Sequence, residues 1–269
     1  MGLLDKLGIG GSREVRDARS IAKLQKKVVE KFGPPENRQG AIEELGALKT
    51  EGAVEALLMR FTVRVDPGIT DDEEKKRALD LIVATEETAV PAIKRFIFGR
   101  DEISWPLKAL ADLVPEFEVV KVLVETLRKA AGEYARVPEK KVLLLHAAGH
   151  HRSPHLVGAC LLFLEDMDDE VVIAAAQAIA VQSQPVPGAA EATPAATPAE
   201  GTPAVETGRE PLIQTFLRAN EQKNARVKDA LAGILAETPW DVKGYTPKVE
   251  AALSDAYKLD SKGKVVRKS

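Results

Sequence analysis

The chain has 269 residues, 45% hydrophobic and 29% charged, with a formal net charge of −3 and a single cysteine. That length and apolar fraction suit one large globular domain or two small ones, and the charge gives no general attraction to nucleic acid or an anionic membrane. With Cys160 alone, an intramolecular disulfide and a thiolate zinc cage are excluded, so a reducing cytoplasm is the expected setting. Aromatics make up only 4%, and Ala, Leu and Val dominate the apolar set, which favours closely packed helices over a β-sandwich.

Residues 1–11 carry Leu3, Leu4 and Leu7, then Gly8, Gly10 and Gly11, and read as a flexible N-terminal segment. They lack the basic region and sustained apolar run of a secretory signal, and Lys6 breaks the myristoylation pattern. Ser12 is the expected N-cap of a helix reaching about Phe32, with Ile21, Leu24, Val28 and Phe32 on its apolar face and lysines and arginines elsewhere. Gly33, Pro34 and Pro35 stop it.

From there the pattern repeats as helical hairpins. Ala41, Ile42 and Leu45 pair with Val54, Leu57, Leu58 and Phe61 across a break at Lys49 to Gly52. Thr70-Asp71-Asp72-Glu73 has the order of a capping box before Ala78, Leu79 and Ile82, whose partner carries Val90, Ile93, Phe96 and Ile97. Trp105 and Pro106 open a third unit through Ala109, Leu110 and Leu113, then Val119, Val120, Leu123 and Leu127. The fourth has Leu143, Leu144 and Ala147, then Leu156, Val157, Cys160, Leu161 and Leu164. Asp168, Asp169 and Glu170 precede the fifth, through Ala175, Ala176 and Ile179, where acids favour a helix N-terminus.

The anchors Ala41, Ala78, Ala109, Leu143 and Ala175 recur at intervals of about 31 to 37 residues, the period of helical-hairpin repeats. The next, Ala230, comes late because residues 183–208 form a Pro/Ala/Thr-rich run too poor in large apolar groups to offset its ordering entropy. This run is the expected disordered insert inside the fifth unit, whose partner helix resumes at Pro211 with Leu212, Ile213, Phe216 and Leu217. Ala230, Leu231 and Ile234 mark the sixth. Val249, Leu253 and Tyr257 then suggest a closing helix, and residues 258–269 a frayed basic tail.

The acidic turn and Ala-rich helix from Leu164 to Ile179, and the segment from Arg38 to Leu58, resemble the HEAT-repeat (armadillo-type) family of bacterial helical-repeat proteins. Val172 departs from that pattern, in which many copies have Arg. The resemblance implies an all-α, right-handed α-solenoid of about six hairpins over residues 12–257, with a concave face that binds protein. It therefore implies a scaffold or adaptor with a protein partner and no enzymatic cofactor. As guesses for partner-facing inner positions, it points to Lys75, Lys108, Lys141 and Lys228.

The sharpest chemical signal is the cluster His146, His150, His151 and His155. His146 and His150 share a helix face at i, i+4, so a metal could be held by these two with a further ligand, His155, Glu165 or Asp166. Gly149, however, invites the helix to end, and no His-Glu-x-x-His pattern exists, so the stretch reads first as an inter-helix turn. HEAT-like iron hydroxylases use repeated His-Glu pairs, and none occurs here. HEAT-like DNA glycosylases need a basic face with aromatics, which the charge argues against. The nucleic-acid alternative rests on the basic N-terminal helix and tail. Trp105 and Trp240 read as packing residues, Cys160 as a buried hydrophobe, and the acids Asp71 to Glu74 and Glu165 to Glu170 as solvated, helix-capping turns. No catalytic constellation can be assembled, and no run reaches the ~20 apolar residues of a membrane span.

Overall fold

The computed structural model describes residues 9–133, 138–183 and 208–268, those before residue 16 by backbone alone. It is mostly helical, and the chain divides into two compact units, Met1–Val119 and Val120–Ser269. No helix among the described residues is long and apolar enough to cross a membrane. Most of the 183–208 insert, residues 184–207, and most of the segment 1–11, residues 1–8, lie outside the described residues.

In the first unit, α1 (Ile9–Val28) is followed by α2 (Pro35–Leu48), α3 (Glu51–Leu58), α4 (Gly68–Val83), α5 (Val90–Gly99) and α6 (Ser104–Leu113), and α7 (Glu116–Ala131) begins at its end. Pro35 starts α2 where a missing N–H costs nothing, and Lys49 ends it in the left-handed conformation, φ 48°. Thr50 caps α3 by accepting from Ala53 N–H at 3.3 Å. The helices pack in two layers, α2 on α4 on α6 and α1 on α3 on α5, and α2 against α3 and α5 against α6 join the layers. Ala41, Ile42, Leu45, Leu57, Leu58, Ala78, Ile82, Ile93, Ile97 and Leu110 fill the seam between the layers. At Gly46 an added Cβ would come within 2.6 Å of the Leu81 side chain, which fills the space the missing side chain leaves. Trp105 stacks on Phe61, rings nearly parallel and 5.7 Å apart, as a packing residue.

In the second unit, α8 (Glu139–Gly149), α10 (Asp169–Ser183) and α12 (Ala225–Glu237) pack in succession, with α9 (Pro154–Leu161) against α10 and α11 (Arg209–Glu221) against α12. Asp168 caps α10, its Oδ1 accepting from Glu170 N–H at 2.9 Å and Val171 N–H at 3.3 Å. Asn224 caps α12 in the same way. Trp240 is buried beside Gly208, where an added Cβ would meet Ile179 Cγ2 at 2.4 Å and the indole at 3.0 Å.

Several expectations change. Phe32 lies beyond the end of α1 and is fully exposed, because the helix stops at Val28. Helix α1 begins at Ile9, so Ser12 is inside it, and α4 begins at Gly68, so Thr70 is a helical residue and no capping box forms. The buried stripe of α8 is Lys141, Leu144, Leu145 and Ala148, one residue away from Leu143 and Ala147. The chain's end is not a helix running to Tyr257. Helix α13 (Thr246–Ala252) stops there, and β1 (Tyr257–Leu259) pairs antiparallel with β2 (Val265–Arg267), Leu259 opposite Val265. Asp260 Oδ1 accepts from the N–H groups of Lys262 and Lys264, and Gly263 supplies a positive φ of 80°. Val265, 2% exposed, anchors the hairpin on α12. The second unit thus adds a two-stranded ribbon to the all-α expectation.

Candidate functional site

The charges of the first unit are arranged in a way that departs from the solvated turn expected for Asp71 to Glu74. Arg38 occupies the first position of α2's buried stripe, ahead of Ala41, Ile42 and Leu45 at i+3, i+4 and i+7. It reaches Glu74 on α4 in a bidentate grip, Nε to Oε2 at 2.9 Å and Nη2 to Oε1 at 3.1 Å. Arg60, in the 3-10 turn Met59–Thr62, donates Nε to the same Oε2 at 3.0 Å and Nη2 to Asp71 Oδ1 at 2.7 Å. Val65 N–H and Lys75 complete the Asp71 shell. Burial alone would push the Asp71 carboxyl up. The hydrogen bonds from Lys75, Arg60 and Val65 outweigh it and hold the group below its ordinary value.

All four of Arg38, Arg60, Asp71 and Glu74 are buried, and among the described residues no buried side-chain nitrogen or oxygen lacks a partner. The cluster is therefore a closed polar core that fixes α2, the 59–62 turn and α4 in register. It presents no group to a substrate.

Surface depressions lie in both units. One is a groove of about 590 Å³ across α1, α3 and α5. Ala18, Ala22, Gly52, Ala92 and Gly99 keep its walls low over Leu58 and Phe96, with Arg95 paired to Glu51 and Glu55 on its rim. Another is in the other unit, a cleft of about 550 Å³ beside the turn between α9 and α10. Its floor is Leu164, Val172, Ala219 and Val227, and its rim carries Glu165, Asp166 and Asp169. Arg218 also lines it, engaged with Glu165 at 2.8 Å and the Leu164 carbonyl at 2.5 Å. Met167 stands over it, 92% exposed.

The sequence-derived site residues are placed as follows. Lys141 is 8% exposed and bound to Asp166 at 2.8 Å, and Lys75 is bound to Asp71, so neither is free to face a partner. Lys108 is exposed with its ammonium 5.8 Å from the Trp105 ring, and Lys228 is half-buried. His146, His150 and His155 are exposed, and among the described residues no group of three or more His, Cys, Asp or Glu side chains converges as a metal ion requires. Gly149 does end α8. The turn that follows is held by Gln182, whose Nε2 donates to the carbonyls of Ala148 and His151 and whose Oε1 accepts from Ser153 N–H. Cys160 is wholly buried, and burial pushes its thiol up to about 12, the condition of a packing residue rather than a nucleophile.

The charged cluster escaped the sequence reading, yet it left a signal. A charged residue opens the apolar stripe of α2, α4 and α8 at Arg38, Glu74 and Lys141. Set against known proteins, the chain matches no family model and no curated protein.

Proposed function

We propose that the chain is a non-enzymatic scaffold or adaptor of HEAT type, a right-handed α-solenoid of about six hairpins acting in the cytoplasm, that seats a helical segment of a partner protein. The observation that supports this reading is the alternation of layers. First helices stack on first helices in both units, and in the first unit the second layer, α1 on α3 on α5, carries an open groove with small side chains along its walls. Low walls let a partner helix approach the backbone closely, and the apolar floor gives it surface to bury. The partner-facing residues are then those of the second layer, Ala18, Ala22 and Gln25 among them, in place of the first-layer lysines.

A photoreactive phenylalanine analogue at Ala22, with the exposed Lys76 of α4 as control, tests the reading in source cells. One protein species cross-linked from position 22 and absent from position 76 is the expected result. No species from position 22, or the same set from both, overturns it.

A further inference from the structure

The ribbon β1–β2 gathers cations in a chain whose net charge is −3. Lys258, Lys262, Lys264, Arg267 and Lys268 fall within it or at its ends, and against them stand Asp260 in the turn and Asp255 ahead of the first strand. Asp260 is committed, its Oδ1 accepting from Lys262 and Lys264 N–H at 2.9 and 2.8 Å. Asp241, beside the turn at Gly263, is held by Arg209 and Lys243. Among the described residues no ion pair engages any of the five cations.

The register decides which of them share a face. Lys258 lies opposite Val266, and Leu259 opposite Val265. Tyr257 and Val265 are buried, and an added Cβ at Gly233 of α12 would lie 3.1 Å from the Tyr257 hydroxyl, so this face is the one laid on the helix. The carboxylates of α12, Asp229 and Glu237, belong to the helix behind it. Asp260 N–H donates to the Lys264 carbonyl and Lys268 N–H to the Ala256 carbonyl, so strand pairing runs on past both ends of the ladder. Side chains alternate along a strand, and Lys258, Lys264, Val266 and Lys268 therefore share the outer face. Lys258 and Lys268 are exposed, Lys264 and Val266 half-buried. Lys264 and Lys268, four residues apart, are separated by roughly 13 Å at the usual strand rise, with Lys258 between them on the other strand.

We infer that this outer face docks on B-form duplex DNA, the ribbon lying in the major groove and its lysines meeting phosphates along the groove's edges. That groove admits a two-stranded ribbon and is about 12 Å wide, close to the span of the lysine row. Other polyanions fit less well. The major groove of duplex RNA is too deep and narrow to be entered. Single strands are held by stacking, and the ribbon's one ring, Tyr257, is buried with Arg267 over it. A membrane surface takes up large apolar side chains, and the outer face offers only Val266, half-buried. Lysines contact phosphate and no Arg, Asn or Gln stands on this face to read bases, so the binding is sequence-independent. It goes beyond the scaffold reading and stands whether or not a partner occupies the α1–α3–α5 groove.

Fluorescence anisotropy of a labelled mixed-sequence DNA duplex, titrated with the full chain, tests it. A Kd between about 1 and 100 µM at low salt is expected, with log K falling against log salt at a slope of about −3, roughly 0.9 for each of the three lysines. The triple variant Lys258→Gln, Lys264→Gln, Lys268→Gln is expected to bind about tenfold or more weakly and to lose most of that slope. Neutralising exposed Lys23, Lys26 and Lys31 in the first unit removes the same charge and should leave binding within about twofold. Unchanged thermal melts establish that the variants keep the fold, and competition against the wild type needs no variant. Unlabelled duplex RNA, polyglutamate and phosphatidylserine vesicles, at equal total charge, should each displace the labelled duplex less well than unlabelled duplex DNA. No binding by about 100 µM protein, binding indifferent to the ribbon variant, or equal displacement by any of the three competitors overturns the inference.

Discussion

Arg38 holds Glu74 by two parallel hydrogen bonds across 36 residues of sequence, from the first helix of one hairpin to the first helix of the next, with both side chains out of water. Ion pairs so placed contribute little beyond a good apolar contact, yet breaking one strands a charge. Glu74 is shared with Arg60, so its removal strands the Arg38 charge and leaves Arg60 with Asp71 as its one carboxylate partner.

Glu74→Ala is therefore expected to cost about 3–5 kcal/mol, read as the loss of urea midpoint at constant slope. The matched control is Glu43→Ala. It breaks the Arg77 pair, whose side chains are about half exposed, and should cost ~1 kcal/mol or less.

Acid should find Asp71. Its carboxyl is held below the ordinary value of 3.8, so the stability it contributes is complete above that value and is lost as pH falls from there through the lower folded-state value. The wild type's advantage in melting temperature over Asp71→Asn should be constant from about pH 5 to 7 and shrink below about pH 4. A difference that grows on acidification would contradict the assignment.

The Cys160 thiol, buried and pushed up to about 12, should resist Ellman's reagent in the native protein at pH 8 and react at once in concentrated urea. Native labelling should be slower by about a thousandfold or more, because it waits on opening of the α9–α10 contact.

Gly208→Ala should destabilise by about 1–3 kcal/mol in thermal or urea unfolding, because the new methyl would lie 2.4 Å from Ile179 Cγ2 and 3.0 Å from the Trp240 ring. Gly158→Ala is the control. It sits on α9 with nothing within 4 Å, and should be neutral or slightly stabilising through helix propensity.

Periodicity alone located most of the helices. Apolar residues three and four apart must share a face, and Pro35, Lys49-Thr50 and Asp168 mark ends and beginnings by local chemistry that needs no partner. The same reasoning identified Cys160 and both tryptophans as packing residues. What failed did so for physical reasons. Leu143, Leu144 and Leu145 are consecutive, so the sequence permits neighbouring stripes, and only packing against α10 selects Leu144 and Leu145. Phe32 lies beyond the last turn of α1, where hydrophobicity cannot say whether a side chain is buried or offered. The hairpin at Asp260 carried a readable turn, Asp260 through Gly263 between Leu259 and Val265, but its strands are three residues long, too short for alternation to register.

The fate of the charges belonged to tertiary structure. A run of acids on a helix start is compatible with water or with a buried guanidinium, and the choice depends on what faces it. For Asp71 and Glu74 that is Arg60 and Arg38, brought together from 11 and 36 residues away. Local sequence set the helices and their apolar stripes because those depend on neighbours three and four residues off. Which charges are buried, which lysines are committed and which aromatic is left in solvent depend on contacts across the hairpins, and the fold alone decided them.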